Sequence, residues 1–363
     1  MMRILALEPY YDGSHRQFLD GWSARSGHEF TILSLPAHKW KWRMRHASVT
    51  FADRVAELSR SGRRFDAIFC SDMLNLPEFL GLAPPCVRTL PAIAYFHENQ
   101  LTYPDDRKDQ RDVHFGLSNM VTALASQAWF NSEYHRDEFL GALGKLLGSM
   151  PDYQLPDAVG RIRDTSRIMH PGVDEFPPRG PRPDGPLRIL WAARWEHDKD
   201  PETFFDAVGR LQAAGVNFRL SVIGQQFKQI PPVFETARKQ FSEHIDRWGY
   251  QETLDDYRAA LREADVFVST ARHEFFGISA VEAAAAGAMP ILPKRLAYPE
   301  VFQLDKTLGA EALFYSGGAE GLAARLAQLA ETTENLWPGA TEIVKPLTWS
   351  RIAAQMDDCM QQL

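Results

Sequence analysis

Long apolar runs are missing from this chain of 363 residues. No stretch of 18 or more consecutive apolar residues occurs, which excludes an ordinary membrane-spanning helix. The opening residues, MMRILALEPYYDG, enter a strand-like pattern at once, whereas a secretory signal would place a cationic segment before an apolar run. We therefore expect a cytoplasmic protein without membrane contact, and nothing in the sequence indicates an obligatory protein partner.

Cysteine is scarce, since the chain holds only Cys70, Cys86 and Cys359. Their odd number argues against a disulfide framework, and their spacing does not match that of a zinc site. Free thiols in a reducing compartment, mostly buried, are the expected state.

What the chain has is a regular alternation of short strand-like runs and amphipathic helical stretches. Several of the strand-like runs are apolar throughout, as expected for parallel strands that helices cover on both faces. The pattern predicts an α/β protein with two doubly wound sheets. The strand candidates are RILAL, FTILSL, DAIFCSD, AIAYFHEN, AWFNS and RIMHPG, followed after a break by RILWAAR, RLSVIG, DVFVST and MPILP.

The break is the segment FPPRGPRPDGP, in which five of eleven residues are proline. Because proline lacks a backbone donor and has a fixed φ, such a segment predicts a stiff linker. The length of the chain also suits two domains better than one. We predict an N-terminal domain over residues 1–175, a linker over 176–186 and a C-terminal domain over 187–363, with the last helix as a candidate to pack back on the first domain.

Ligands of open α/β sheets bind beyond the carboxyl ends of the strands, so the loops that follow the strands are the candidate sites. After the first strand comes EPYYDGSHRQF, in which Gly13 and Ser14 precede a helical pattern. Glycine lets a ligand approach the backbone, and a helix N-terminus offers N–H groups to an anion. Such a turn also begins ordinary helices, so both interpretations stay open.

The strand AIAYF is followed by the polar loop HENQLTYP, residues 97–104. His97, Glu98, Asn99 and Gln100 offer the donors and acceptors that recognise sugar hydroxyls or base edges. A solvated turn ended by the proline is the alternative. The position directly after a buried strand favours a binding site.

In the second half of the chain, the strand RILWAAR is followed by WEHDKDP. Arg194 and Lys199 therefore share a strand-to-helix loop, where a planar guanidinium fork and a point charge together suit a diphosphate. Pairing with the acidic residues of the same loop, Glu196, Asp198 or Asp200, is the alternative.

The strongest signal is ARHEFFGISAVEAAAAGAMP, which follows the strand DVFVST. Glu274 lies in the loop, and Glu282 lies eight positions later on a helix. Phe275, Phe276 and Gly277 lead into that helix, whose N-terminus favours negative charge such as a phosphate. Each carboxylate alone is common near a helix end, but the two around Phe-Phe-Gly suit the hydroxyls of a sugar and a ribose.

The segment HKWKWRMRH, residues 38–46, concentrates four Lys or Arg and two Trp in a chain of formal net charge −7. Its alternation predicts an extended strand with cations on one face and aromatic rings on the other. One interpretation is an edge strand with its apolar side packed inward. The other is contact with a polyanion that carries stackable bases, for which the local field matters rather than the net charge. The candidate contact residues are Lys39, Trp40, Lys41, Trp42, Arg43 and Arg45.

The early glycine loop, the R-x4-K pair and the E-x7-E motif together resemble the retaining glycosyltransferases of the GT-B fold. The resemblance implies two Rossmann-like domains that face a central cleft. It places Glu274 at the donor hexose and Glu282 at the ribose, with Arg194 and Lys199 at the donor diphosphate.

The resemblance also assigns part of the reacting centre to the N-terminal domain. Gly13 would lie near the transferred sugar, and His97 would face the reacting centre. A leaving diphosphate can take the acceptor proton, so the help of the protein is chiefly electrostatic and we expect no metal and no cofactor. The implied catalytic set is His97, Glu274, Arg194 and Lys199, and the implied donor site adds Gly13, Ser14, Phe275, Phe276, Gly277 and Glu282.

More narrowly, GSHRQF, HKWKWRMRH, FHENQLTYP, RWEHDKDP and EFFGISAVEA resemble the tRNA-queuosine mannosyltransferase group. The group implies GDP-mannose as the donor and a cyclopentenediol hydroxyl of the modified anticodon base in tRNA as the acceptor. Glu98, Asn99 and Gln100 would then join residues 38–46 in binding the acceptor.

Two other functions stay open on the sequence. A non-catalytic protein that binds a nucleotide sugar or RNA would show a broken constellation, whereas each element is present here. A glycosyltransferase for a lipid, glycan or small-molecule acceptor at a membrane would carry an amphipathic cationic helix over residues 38–60, and the period of two disfavours it.

Overall fold

Two α/β units are present in the computed structural model of the chain. The first unit comprises Met1–Gly172 together with Trp349–Leu363, and the second comprises Val173–Thr348. The first break therefore falls between Gly172 and Val173 rather than after residue 175, and the C-terminal segment returns to the first unit. The structure describes residues 1–102, 113–180, 182, 185–227, 229–331, 336 and 338–363.

Each unit is built on a six-stranded sheet whose pairings are parallel. The strands of the first sheet are β1 (Arg3–Glu8), β2 (Glu29–Ser34), β3 (Ala67–Ser71), β4 (Ala92–Phe96), β5 (Gln127–Phe130) and β6 (Arg167–Ile168). Those of the second sheet are β7 (Leu187–Ala192), β8 (Phe218–Ile223), β9 (Ile245–Gly249), β10 (Val266–Val268), β11 (Met289–Pro293) and β12 (Phe314–Tyr315). The orders are β2-β1-β3-β4-β5-β6 and β12-β11-β10-β7-β8-β9. The order reverses beside β1 and beside β7, so the carboxyl ends of β1 with β3, and of β7 with β10, are the switch points where ligands bind.

The helices connect and cover the strands. In the first unit they are α1 (Gly13–Ser23), α2 (Trp40–Arg60), α3 (Leu76–Leu82), α4 (Pro85–Arg88), α5 (Val113–Leu124), α6 (Glu133–Gly148) and α7 (Ala158–Thr165). In the second unit they are α8 (Pro201–Ala213), α9 (Val233–Gln240), α10 (Leu254–Glu263), α11 (Ile278–Ala285), α12 (Tyr298–Val301), α13 (Gly318–Glu331) and α14 (Gly339–Val344). The last helix, α15 (Trp349–Met360), belongs to the first unit.

The segment 38–46 does not form the predicted strand. Lys39 has a left-handed backbone with φ of 53°, and α2 begins at the next residue. The prediction is wrong because the apolar positions continue beyond the segment at helical spacing, and a stripe of that length outweighs nine alternating residues. The stripe consists of Met44, Ala47, Ser48, Phe51, Ala52 and Val55, all buried.

The position of this stripe helps to evaluate the alternative function, a glycosyltransferase that acts at a membrane. An amphipathic cationic helix does exist over Trp40–Arg60, contrary to the period-two argument. Its apolar side, however, packs into the hydrophobic clusters of its own unit, so it does not offer the apolar face that insertion into a membrane surface requires. No helix among the residues that the structure describes is both long and apolar enough to cross a bilayer.

The proline-rich segment is attached to the second unit. A guanidinium N–H of Arg179 donates to Asp265 Oδ1 at 2.8 Å, and Arg182 Nε lies 3.0 Å from Asp265 Oδ2. The Arg188 N–H also donates to Asp265 Oδ2, at 2.9 Å, so three partners balance this fully buried carboxylate. The described part of segment 176–186 is therefore anchored rather than a free linker; residues 181, 183 and 184 lie outside the described residues.

Helix α15 is locked onto α1. Asp357 accepts hydrogen bonds from Trp22 Nε1 at 2.8 Å, from the Ser26 hydroxyl at 2.6 Å and from the Gly27 N–H at 2.7 Å. The Trp349 ring fills the space that a side chain at Gly21 would need, since a Cβ there would lie 2.3 Å from the ring. The C-terminal segment is thus an integral part of the first unit.

Replacing Asp357 with Ala should lower the free energy of unfolding by about 2–3 kcal/mol, because the Trp22 N–H is buried and loses its acceptor. Chemical denaturation followed by tryptophan fluorescence measures the change. Asp358→Ala is the matched control, since Asp358 is an exposed neighbour on the same helix and its loss should stay within about 0.5 kcal/mol. Equal stability of the two variants would contradict the lock.

Candidate functional site

The carboxyl ends of β7 and β10 bring predicted donor residues together in the second unit. These strands are neighbours in the sheet although they are distant in sequence. Arg194 and Lys199 follow β7, and Glu274 follows β10. The cluster lies at the switch point, where an open α/β sheet binds its ligand.

Lys199 is the buried cation of this cluster, with 9% of its surface exposed. Its Nζ donates to the carbonyl oxygen of His273 at 2.9 Å and lies 3.1 Å from Asp198 Oδ2 and 3.4 Å from Glu274 Oε2. Burial alone would lower the pKa of Lys199, but Glu274 and Asp198 outweigh it and hold the pKa above its usual value. Lys199 is therefore charged at neutral pH.

Glu274 is the carboxylate partner of Lys199. Burial alone would raise the pKa of Glu274, but Lys199 and the Phe276 N–H, 3.5 Å from Oε1, lower it below its usual value. Burial, followed by the charge of Lys199, lowers the pKa of the adjacent His273 to about 4. At neutral pH the cluster therefore combines an ionised carboxylate, an ammonium group and a neutral imidazole.

Arg194 is the more accessible cation. Its side chain is 34% exposed, and its Nε lies 3.2 Å from Glu196 Oε2. Both cations of the loop thus pair with acidic residues of the same loop, as the alternative interpretation predicted for Arg194 with Glu196 and for Lys199 with Asp198. A partly exposed ion pair such as Arg194–Glu196 stabilises a protein by at most about 1 kcal/mol. Arg194 can therefore exchange Glu196 for a ligand phosphate at little cost in free energy.

The turn before α11 is fixed by packing. Phe275 and Phe276 are almost completely buried, so their side chains hold the loop in place rather than line a binding surface. Gly277 has φ of 87°, and a Cβ there would lie 2.5 Å from the ring of Tyr298. The Tyr298 hydroxyl is itself 2.7 Å from the Ser269 hydroxyl. Only glycine fits at this position, which lets the start of α11 pack closely against the Tyr298 ring.

Glu282 lies inside α11 and is buried. Its Oε2 accepts a hydrogen bond of 2.6 Å from the hydroxyl of Tyr257 on α10. Burial and the neighbouring carboxylate raise the pKa of Tyr257 well above its usual value, so the phenol stays protonated and keeps donating. Tyr257 therefore fixes the orientation of this carboxylate.

In the first unit, polar side chains stand at the carboxyl ends of successive strands. Glu8 ends β1, Ser71 ends β3, and Asp72 comes directly after it. His97 follows β4, and Asn131 follows β5. The Ser71 hydroxyl donates to Glu8 Oε1 at 3.0 Å, and the His97 N–H donates to Asp72 Oδ1 at 3.0 Å. Asn131 Nδ2 donates to the His97 carbonyl oxygen at 3.0 Å, which continues this polar layer across the sheet.

His97 and Gly13 belong to this edge of the sheet. The His97 ring stacks on the His15 ring, with centroids 3.9 Å apart and planes at 30°. Burial, followed by the nearby histidines, lowers the pKa of His97 well below its usual value, so its ring is neutral. Gly13 begins α1 with φ of 51°, and a Cβ there would meet nothing within 4 Å. Gly13 and Ser14 are exposed, so a ligand can approach this turn.

The polar loop after β4 is partly a structural turn. Asn99 is fully buried, and its Oδ1 accepts hydrogen bonds from the N–H groups of Leu101 and Thr102. This is the side-chain-to-backbone bonding by which Asn closes a turn, so the turn interpretation accounts for Asn99. Glu98 and Gln100 are partly exposed, whereas residues 103 and 104 of the loop lie outside the described residues.

The cationic segment divides into exposed and packed side chains. Arg43 is held by the Pro36 carbonyl oxygen and by His46, each at 2.9 Å. Trp40 is half-buried, with its ring 5.3 Å from that of Phe115. The exposed members are Lys39, Lys41, Trp42 and Arg45, and the ring of Trp42 is 60% exposed. The N-terminal end of the helix therefore presents three cations and one exposed indole ring, which packs on one side against His46.

Sequence reasoning missed several residues of these two clusters. Glu8 is the last residue of β1, and Asp72 directly follows β3. Ligands of open α/β sheets bind at these strand ends, so the position of both residues would have indicated a site. His15 lies within the motif GSHRQF, but nothing in the motif indicates that its ring meets His97. Tyr257 looks like any tyrosine of an amphipathic helix, and only the fold brings it to Glu282.

Comparison with known families divides the chain where the structure divides it. The family described as tRNA-queuosine alpha-mannosyltransferase N-terminal matches residues 3–173. The family described as Glycosyl transferases group 1 matches residues 173–336. The second match contains the whole Arg194, Lys199, Glu274 and Glu282 set.

Among solved structures, the chain is similar to a sucrose-phosphate synthase from Thermosynechococcus elongatus, with a TM-score of 0.73 and 15% identity over 100% of this chain and 99% of that one. It is also similar to HepE of Anabaena in complex with UDP-glucose, with a TM-score of 0.71 and 13% identity over 100% of both chains. These similarities concern the fold, and together with the two parallel sheets they confirm the predicted GT-B fold class.

Two curated relatives carry informative names. A GDP-mannose:cellobiosyl-diphosphopolyprenol alpha-mannosyltransferase of Xanthomonas oryzae pv. oryzae is 30% identical over 138 residues, which cover 35% of this chain and 34% of that protein. The tRNA-queuosine alpha-mannosyltransferase of Drosophila melanogaster is 33% identical over 312 residues, which cover 82% of this chain and 81% of the relative. Since this relative spans most of the chain and the two family matches together cover residues 3–336, the chain is a glycosyltransferase and belongs to the tRNA-queuosine alpha-mannosyltransferase family.

Proposed function

We propose that the enzyme transfers mannose from GDP-mannose, with retention of configuration, to a hydroxyl of the queuosine base in tRNA. The observation that carries the proposal is the Lys199–Glu274 pair beside Arg194, a charge arrangement suited to a sugar diphosphate, in a chain of this family. The Drosophila relative is named for the tRNA acceptor, and the Xanthomonas relative is named for GDP-mannose. A tRNA acceptor also places the reaction in the cytoplasm.

On the donor side, the second unit supplies the charges. Arg194 and Lys199 bind the diphosphate and stabilise the negative charge that grows on it as the glycosidic bond breaks. Glu274 accepts hydrogen bonds from the hydroxyls of the hexose, and Glu282 does so from the ribose. The N-terminus of α11, which begins after Gly277, favours the negative charge of the phosphate.

The acid–base chemistry follows from these charges. In a retaining reaction the acceptor attacks from the face that the nucleotide leaves, through an oxocarbenium-like transition state. The diphosphate oxygen takes the proton of the acceptor hydroxyl as it departs, so the positive side chains act electrostatically and need not transfer a proton. His97, which is neutral, contacts the reacting sugar from the first unit, near Gly13.

On the acceptor side, the N-terminal end of α2 suits RNA. Lys39, Lys41 and Arg45 are exposed cations for backbone phosphates, and the first turn of the helix contains no acidic residue. Trp42 offers an exposed indole ring for stacking on an unpaired base, an interaction worth roughly 1–3 kcal/mol. Glu98 and Gln100 are the side chains of the polar loop that remain accessible for hydrogen bonds with the acceptor.

The direct test is transfer with purified protein. Bulk tRNA is incubated with GDP-mannose, or separately with UDP-glucose, UDP-galactose or GDP-fucose, and the nucleosides are analysed by mass spectrometry. We expect a mannosyl adduct of queuosine with GDP-mannose alone, and no product on tRNA that lacks queuosine. Transfer to a polyprenyl-linked disaccharide but not to tRNA would contradict the proposed acceptor.

Replacing Tyr257 with Phe should weaken donor binding about three- to tenfold, because Glu282 loses the hydrogen bond that orients it toward the ribose. The turnover number should change little, since the ribose lies away from the reacting bond. Calorimetric titration with GDP measures the effect. Tyr250→Phe, at a tyrosine of the same unit that is 60% exposed, is the control; equal affinities for GDP in both variants would argue against the role of Tyr257.

A further inference from the structure

We infer that His15, anchored by Glu8, is a positioning residue that fixes the ring of His97 at the carboxyl end of β4. This inference rests on the proposed function, in which His97 contacts the reacting sugar. It concerns residues that the sequence motifs do not assign, and three observations carry it: the ring stack, the anchoring of Glu8 and the distribution of charge.

The ring of His97 is enclosed by three other rings. His15 covers one face at 3.9 Å between centroids, while Tyr95 and Phe18 meet it edge-on at 4.7 Å and 5.2 Å. The backbone of His97 is fixed as well, through Asp72 and Asn131. His15 lies in the first turn of α1, close to Gly13. The ring stack therefore packs the start of α1 against the residue that follows β4.

Glu8 is a rigid anchor for His15. Its carboxylate is 2% exposed, and Oε2 lies 3.2 Å from His15 Nδ1. Oε1 accepts hydrogen bonds from the Tyr10 N–H at 2.8 Å and from the Ser71 hydroxyl at 3.0 Å. Glu8 ends β1, Tyr10 lies in the following loop and Ser71 ends β3. The two hydrogen bonds hold the carboxylate in one orientation, and the His15 imidazole lies against its other oxygen.

The two stacked rings carry different charges. Burial alone would lower the pKa of His15, but the carboxylates outweigh it, Glu8 most of all, and raise the pKa to about 9. Burial, followed by the charge of His15, lowers the pKa of His97 well below the usual value, and no carboxylate among the described residues offsets these effects. The ionisable groups that face the pair from the surrounding elements are Glu8, Asp72, Tyr95, Glu98 and His135.

This distribution of charge suits the proposed chemistry. A neutral imidazole can exchange hydrogen bonds with a sugar hydroxyl without adding a positive charge beside a carbon that becomes oxocarbenium-like. Glu8 offsets the charge of His15 at longer range, whereas at the stacked ring of His97 the charge of His15 dominates and lowers the pKa. His15 therefore acts on the reaction through His97, and it need not touch the substrate.

A metal ion is a poor alternative occupant of this cluster. Among the described residues, Glu8, His15 and His97 bring three potential ligand atoms within 4.8 Å of one another. Imidazole lone pairs, however, lie in the planes of the rings. Two rings stacked at 3.9 Å and inclined by 30° cannot both direct a lone pair at one ion at the required distance of about 2 Å.

The test uses His15→Phe, which keeps an aromatic ring under His97 but removes the charge. The pKa of His97, followed by NMR of the protein labelled in its histidine rings, should rise by about one unit or more. The acid limb of the kcat profile should move to higher pH by the same amount, while the affinity for GDP stays unchanged. Glu8→Gln combined with His15→Phe gives the same test without a buried unpaired carboxylate, in case the single variant does not fold.

A double-mutant cycle separates positioning from a general structural effect. If His15 acts through His97, then His15→Phe changes kcat in the wild type but not in a His97→Ala background. Additive effects on kcat in the cycle would overturn the inference. An unchanged pKa of His97 in the variant that combines Glu8→Gln with His15→Phe would overturn it as well. The NMR titration needs no acceptor, so the link between His15 and His97 can be judged even if transfer to tRNA fails.

Discussion

Replacing Glu274 with Gln should slow mannosyl transfer more than a hundredfold, a loss of about 3 kcal/mol of transition-state stabilisation. The carboxylate is partly buried, ionised and paired with Lys199, so a neutral amide changes both the hydrogen bonds to the hexose and the balance of charge at the diphosphate. Affinity for GDP should fall much less, because Arg194 and Lys199 remain. Single-turnover transfer from GDP-mannose to queuosine tRNA measures the rate, and calorimetry measures the affinity.

Glu263→Gln is the control for this experiment. Glu263 also pairs with a cation of the second unit, Arg247 at 3.0 Å, but its side chain is 58% exposed and lies on α10. The same chemical change there should leave transfer unaltered. If folded Glu274→Gln enzyme transferred mannose at the rate of the control, Glu274 would be a structural partner of Lys199 and the assignment of the donor site would fail.

The sequence was sufficient to predict that Arg194, Lys199 and Glu274 come together, because these residues follow two strands in short, distinctive motifs. Neighbouring β7 and β10 then bring the motifs together, as the rule for open α/β sheets requires. The residue types in these loops did not indicate that Lys199 is buried between two carboxylates or that Phe275 and Phe276 face the core. Those facts depend on packing, which a single sequence does not specify at the level of one side chain.

Other features escaped prediction for different physical reasons. Strand β9 has the sequence IDRWG, whose charged residues fit an edge strand with an exposed side but do not produce a strand pattern. Strand β12 is only two residues long. Lys39 adopts a left-handed backbone that begins α2, and the alternating charges that follow it are compatible with a helix whose buried stripe starts at Met44. The Glu8–His15–His97 group joins three separate segments, so only the order of the strands reveals it.

Because residues 40–60 form helix α2, the structure shows which of its cationic residues can be replaced to test tRNA binding. Arg43 is engaged with Pro36 and His46, so its replacement would disturb the helix start as well as any RNA contact. Lys39 and Lys41 are exposed and can be reversed without such a disturbance. Both lie at the N-terminal end of the helix, where the helix dipole also favours phosphate and where glutamates are compatible with the fold.

Replacing Lys39 and Lys41 together with Glu should raise the Michaelis constant for tRNA more than tenfold at moderate salt. The dependence of log kcat/KM on log salt should become shallower by about two, because each lost phosphate contact removes a slope of about 0.9. Affinity for GDP should not change, since the residues proposed to bind the diphosphate and the ribose, Arg194, Lys199 and Glu282, lie in the second unit. Steady-state transfer to queuosine tRNA over a salt series gives both quantities.

The matched control is Arg238→Glu with Lys239→Glu, two exposed residues in the last turn of α9. It changes the net charge of the protein by the same amount but belongs to the other unit. A local RNA contact predicts that only the α2 variant loses affinity and salt dependence. If both variants weakened tRNA binding equally, the effect would come from net charge, and if neither did, the N-terminal end of α2 would not be the acceptor surface.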